Sequence, residues 1–171
     1  ETKRACIEIV RAVAAIEGWI ARREHHYVTI TGVHGIIECQ DDAELRTIHN
    51  RAGLVTPDGM PLVWLSWLNG RADVDRVYGP DLMLALCERS CERGYRHFFY
   101  GGNDGVAARL RDRLIARYPA LNVVGMYTPP FRPLTPEEDE AVIARINASG
   151  ADLVWVGLST PKQERWMATH L

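Results

Sequence analysis

No apolar stretch in this chain approaches the roughly 18 residues that a membrane-spanning helix needs. No excess of one charge is present either: 20 Lys and Arg stand against 22 Asp and Glu, a formal charge of −2. That balance leaves no electrostatic footprint for nucleic acid. The start lacks a basic segment followed by an apolar stretch and a small-residue cleavage site, the pattern of a secretory leader. Cysteine is sparse, and Cys6, Cys39, Cys87 and Cys91 form no C-x-x-C pair. Zinc-like ligand spacing is missing among them, and a reducing, intracellular compartment is expected. Cys87 and Cys91 fall on one face of an expected helix and read as small buried thiols. His25, His26, His34, His49, His97 and His170 are scattered without metal-ligand spacing. Internal repeats and low-complexity segments are absent.

What is there is an ordinary globular mixture. The 171 residues are 47% hydrophobic and 25% charged, enough for one domain with a real core. Helical periodicity is expected over Glu1–Arg23, Asp41–Arg51, Met60–Leu68, Asp81–Arg93, Asp104–Tyr118 and Thr135–Ala148, and again from Pro161. Met60–Leu68 is apolar almost all round, which predicts a buried helix. Strands are expected at Tyr27–Thr31, Gly53–Thr56, Arg76–Tyr78, Arg96–Tyr100, Leu121–Gly125 and Ala151–Gly157. Strands alternating with helices predict a Rossmann-like α/β fold: a mainly parallel sheet with helices on both faces, residues 1–171 forming one domain. Val123–Val124 and Asp152–Val156 read as strands covered on both faces.

In such sheets ligands bind outside the carboxyl ends of the strands. The segments there are Thr31-Gly32-Val33-His34, Thr56-Pro57-Asp58-Gly59, Tyr78-Gly79-Pro80-Asp81, Tyr100-Gly101-Gly102-Asn103-Asp104 and Gly157–Glu164. Gly101-Gly102 lets an anion approach the backbone, and a helix expected to begin near Asn103 turns its positive end toward it. The G-x-G-x-x-G dinucleotide spacing is not met, which leaves two readings open, a nucleotide-diphosphate site or a tight turn without a ligand. Asp58 is open to two readings. Pro-Asp-Gly is a turn signature in which the aspartate can cap the next helix, and a carboxylate at a strand end can also be a general base. Arg76 can clamp phosphate or pair with Asp73, Asp75 or Asp81. Thr160-Pro161-Lys162-Gln163 repeats the Thr-Pro helix start at Thr135, so capping explains it except for Lys162. That cation stands at the unfavourable end of a helix, where a bound anion would compensate it. His34 is a weaker ligand-contact candidate.

Taken in order, these motifs resemble the WecG/TagA/CpsF glycosyltransferases of bacterial cell-surface polysaccharide synthesis. The matching pieces are Leu54–Met60, Arg76–Leu82, Phe98–Gly102, Tyr118-Pro119-x-Leu121 and Val156–Glu164. The resemblance implies an inverting, metal-independent hexosyltransferase with no cofactor. It would use a UDP-sugar donor, such as UDP-N-acetylmannosamine or UDP-glucuronic acid. The acceptor would be a sugar on a polyprenyl diphosphate, met from the cytoplasm at the inner face of the membrane. Asp58 matches the family's proposed base. Thr31 matches a site threonine, and Pro161-Lys162-Gln163-Glu164 a motif that helps bind the UDP-sugar. Thr31, His34, Arg76, Asp81, Gly101, Gly102, Lys162, Gln163 and Glu164 are therefore the expected substrate contacts. UDP is expected where Gly101-Gly102 and Pro161–Glu164 meet. Val33 replaces an asparagine found in many members. The family's C-terminal segment, with its arginines and peripheral membrane contact, is expected to be missing after Leu171. A non-catalytic nucleotide-sugar-binding remnant is the alternative, and a homo-oligomer is left open.

Overall fold

A computed structural model describes residues 9–71, 74 and 76–171. Cys6, Asp73 and Asp75, and the first part of the helix expected over Glu1–Arg23, lie outside the described residues. In chain order the elements are α1 (Ile9–Arg22), β1 (Val28–Thr31), α2 (Val33–Asp41), α3 (Ala43–Arg51), β2 (Leu54–Pro57), α4 (Met60–Leu68), α5 (Gly79–Arg93), β3 (Arg96–Gly101), α6 (Val106–Arg117), β4 (Asn122–Tyr127), α7 (Pro136–Ser149), β5 (Leu153–Gly157) and α8 (Lys162–Thr169). Parallel strands in open sheets flanked by helices make this a Rossmann-like α/β fold. The chain divides into two compact units, residues 1–85 with 160–171, and residues 86–159.

In the first unit β1 and β2 pair in parallel, with Thr31 opposite Pro57. All of β2 is buried, as are Thr29 and Thr31 of β1. Two short helices, α2 and α3, follow β1 where one helix from Asp41 is expected. Val33, Gly35, Ile36 and Ile37 are poor helix formers, so α2 is invisible to propensity. Burial of Gly35 and Cys39 carries it instead. Asp42 separates the two helices and caps α3, its side chain accepting from Leu45 N at 2.8 Å. The strand expected at Arg76–Tyr78 does not form. Val77 N donates to Pro57 O at 3.0 Å, but Tyr78 O already receives Leu82 N in the first turn of α5. Nor is α4 buried all round. Leu62, Val63 and Ser66 face the core, whereas Trp64, Leu65, Trp67 and Leu68 are exposed. An apolar sequence on every side cannot say which face finds a partner.

In the second unit the strand order is β4-β3-β5, all parallel. Only β3 is central, and Phe98, Phe99 and Tyr100 are nearly inaccessible. β4 and β5 flank it and are half-buried, not covered on both faces as their composition suggests. β4 runs through Gly125, where the sequence predicts its end. The Phe98 ring occupies the space beside Gly125, and a Cβ there would come within 2.5 Å of it. Thr135 and Glu138 form the expected capping box of α7. Cys87 is buried, its thiol pushed up to about 11 by desolvation, and Cys91 is half-buried one turn on.

His97 of β3 has no exposed surface and is held at both nitrogens. Trp155 Nε1 donates to its Nδ1 at 2.9 Å, and its Nε2 lies 2.7 Å from Ser90 Oγ. Ser90 in turn donates to Leu86 O. This chain is complete only for a neutral imidazole with its proton on Nε2. Burial accordingly depresses the His97 pKa to about 4. The unfolded chain takes up that proton near pH 6.5. The stability due to neutral His97 is therefore full above about pH 6.5 and is lost as the pH falls toward 4. Urea unfolding at pH 7 and pH 4.5 should show an acid loss larger by ~2 kcal/mol in the wild type than in His97→Gln. Equal losses in the two proteins would show that His97 is not held neutral.

Candidate active site

The polar residues of the first unit converge at the carboxyl ends of β1 and β2. Asp58 follows β2 directly, and its backbone N donates to Thr31 O at 3.0 Å. The two site candidates are thus held side by side by the sheet itself. Asp58 is not a helix cap. Gly59 occupies the N-cap position of α4, and no side chain caps that helix. Asp58 Oδ1 is instead buried with no hydrogen-bond partner in the chain. Thr56 Oγ1 beside it is likewise buried and unpartnered. A buried polar atom without a partner costs about 1–3 kcal/mol, so several at one place mark a site built for something other than stability. A small cleft lined by Thr31, Ile36, Val55, Thr56, Pro57, Leu62 and Ser66 opens at the same strand ends.

The bond from Val77 N to Pro57 O brings the segment before α5 to the end of β2. Arg76 is exposed there, its guanidinium carbon 5.2 Å from the centre of the Tyr78 ring. Such stacking restrains a flexible cation at the strand end. Asp81 is exposed in the first turn of α5. His34 lies in the first turn of α2 and not in a loop. Its Nε2 is 3.0 Å from Glu38 Oε1, and its side chain is 78% exposed, so it is engaged on the helix surface.

The Thr-Pro-Lys-Gln start of α8 differs from its counterpart at α7. Pro161 is the N-cap, and Thr160 makes no cap bond. Its hydroxyl donates to Glu164 Oε1 at 2.9 Å, and Gln163 Nε2 donates to the same oxygen at 3.2 Å. Glu164 is only 2% exposed, and its Oε2 has no partner. Lys162 is exposed as the first residue of α8. Arg165 fixes the helix by pairing with both Asp42 and Glu44.

Gly101 and Gly102 belong to the second unit. They stand where the strand order reverses, between the ends of β3 and β5, the place where open α/β sheets bind ligands. Gly102 N is not free for a phosphate, because it donates to Gly157 O at 2.9 Å. The following helix begins at Val106, behind Gly105, and not near Asn103. Asp104 lies in the exposed turn before it. Glycine at 101 thus serves first to let two strand ends meet. Among the described residues no group of three or more His, Cys, Asp or Glu side chains is placed to hold a metal ion, and no helix is long and apolar enough to cross a membrane.

Sequence reasoning missed His49. It is 1% exposed on α3, and its Nδ1 lies 3.1 Å from Thr29 Oγ1 and 3.3 Å from Thr31 Oγ1. A histidine opposite alternate threonines of one strand was the available signal, but it needs the α3–β1 pairing to be read. The chain matches a known family. The family model described as "Glycosyl transferase WecG/TagA/CpsF family" covers residues 2–171, across both units.

Proposed function

Because the chain belongs to the WecG/TagA/CpsF family of glycosyltransferases, which act in polysaccharide synthesis, we propose that it moves a hexose from a UDP-sugar to a lipid-linked acceptor, with Asp58 as the base. The observation that carries this reading is the state of the Asp58 carboxylate. It follows β2 directly beside Thr31, caps nothing, and keeps a buried oxygen without a partner. A turn residue would spend that oxygen on the backbone; a base must keep it for a substrate proton.

The mechanism that follows is direct displacement. The acceptor hydroxyl attacks the anomeric carbon from the face opposite UDP and gives its proton to Asp58 as the new bond forms. The anomeric C–O bond breaks, and its electron pair leaves with the diphosphate, whose charge grows. Donors aimed at that charge contribute most to the rate. Arg76 and Lys162 supply positive charge, and Gln163 an amide donor. Inversion at the anomeric carbon is the stereochemical consequence of a single displacement. The acceptor is a sugar on a polyprenyl diphosphate, met at the inner face of the membrane, and no metal is assigned to the diphosphate.

Titration calorimetry with UDP tests the binding half of this reading. UDP should bind one site per chain. Arg76→Ala should weaken it about 10- to 100-fold, the value of one charge-assisted contact. A folded wild type that does not bind UDP would refute the reading, and unchanged affinity in Arg76→Ala would remove Arg76 from the diphosphate.

A further inference from the structure

We propose that His49 is a positioning residue of this site: its Nδ1 lone pair is shared by the Thr29 and Thr31 hydroxyls, Glu164 keeps the ring proton on Nε2, and Thr31 is left to present its oxygen to the ligand as an acceptor. The inference rests on the reading of the β1 and β2 ends as a donor-sugar site.

The geometry starts from β1. Thr29 and Thr31 are alternate residues and so face the same side of the strand. They are 1% and 4% exposed, and their oxygens lie 3.1 Å and 3.3 Å from one nitrogen, His49 Nδ1. That nitrogen offers either one proton or one lone pair. Burial disfavours the imidazolium and lowers the His49 pKa, although Glu164 opposes the shift through space. The ring is therefore neutral, and its single proton must be on one nitrogen.

The charge of Glu164, which acts on the ring through space, decides which. His49 Nε2 is buried and unpartnered, and so is Glu164 Oε2. The other carboxylate oxygen, Oε1, already receives Thr160 and Gln163. The nearby Cys39 thiol is pushed up by burial and adds no charge. A proton on Nε2 is attracted by the Glu164 carboxylate, whereas a bare Nε2 would set a lone pair against it. With Nε2 protonated, Nδ1 is an acceptor, and the Thr31 hydroxyl turns its hydrogen inward. Its remaining lone pairs are then left for the strand-end cleft, which Thr31 lines. The ligand group that fits is itself a donor: a sugar hydroxyl or an acylamino N–H.

Imidazole ¹⁵N shifts of the whole chain at neutral pH read the tautomer without any substitution. His49 should be protonated on Nε2, and Glu164→Gln should move at least a tenth of the population to the Nδ1–H form. A wild-type His49 protonated on Nδ1, or a tautomer indifferent to Glu164→Gln, would overturn the proposal. Calorimetry with UDP-N-acetylmannosamine and UDP-glucuronic acid gives the functional readout. Thr31→Val should weaken the sugar nucleotide that binds by about tenfold while leaving UDP unchanged. His49→Phe should weaken it equally, and His49→Asn, whose amide oxygen stands in for Nδ1, should restore it. If His49→Phe fails to fold, the tautomer measurement still decides. If UDP itself does not bind while His49 is in the Nε2–H form, the site reading fails and the relay stands. If UDP binds and His49 is in the Nδ1–H form, only the relay fails.

Discussion

Asn in place of Asp58 should leave a folded protein that still binds UDP but turns over about 10²- to 10⁴-fold more slowly, the usual contribution of a positioned base. The structure sharpens this expectation. Asp58 makes no cap bond at α4, so no hydrogen bond of that helix is lost with its carboxylate. Its buried oxygen has no partner in the chain, so the neutral amide costs little at that position. Thermal unfolding of Asp58→Asn should therefore match or exceed the wild type while UDP release collapses. That opposite movement of stability and activity is the mark of a residue kept for chemistry. Near-normal turnover in the folded variant would move the base elsewhere, with the exposed carboxylates Asp81 and Asp104 next to be tested.

Gly101→Ala should be the most destabilising small substitution in the second unit. Gly101 has φ 111°, and a Cβ there would fall 2.3 Å from Gly157 O and 2.7 Å from its carbonyl carbon. Both are backbone atoms of the neighbouring strand, so no side chain can swing aside. Backbone strain and overpacking together should cost at least ~3 kcal/mol in urea unfolding. Gly102→Ala is the control. It shares a positive φ of 75°, but its Cβ meets only the Val106 side chain, at 3.3 Å. It should cost about 1 kcal/mol. Equal costs at the two positions would contradict the close approach of β3 and β5.

These two residues show how far a sequence can be read. Strand and helix alternation was legible because buried parallel strands leave short apolar runs, and the capping box of α7 is written in Thr135-Pro136-Glu137-Glu138. The segments at the strand ends followed from the fold class alone. The state of each side chain did not. Pro-Asp-Gly permits a capping aspartate, and only the backbone around Gly59 shows that Asp58 is not one. Thr160 repeats the pattern of Thr135, yet its hydroxyl goes to Glu164 and not to the helix. α2 was hidden by poor propensities that burial overrides, and the exposed face of α4 by a sequence apolar on every side. His49 was illegible because its partners lie 18 and 20 residues away on another element. Gly101-Gly102 reads in sequence as an anion cradle, but its first task is the meeting of two strands.

UDP release measured with donor and acceptor together tests transfer most directly. The chain is supplied with UDP-N-acetylmannosamine or UDP-glucuronic acid and a sugar on polyprenyl diphosphate, with EDTA present. UDP should be released only when both substrates are present, release should survive the chelator, and the product should have inverted anomeric configuration. UDP that binds but is never released in an acceptor-dependent way would contradict it and leave a nucleotide-sugar-binding protein in place of an enzyme.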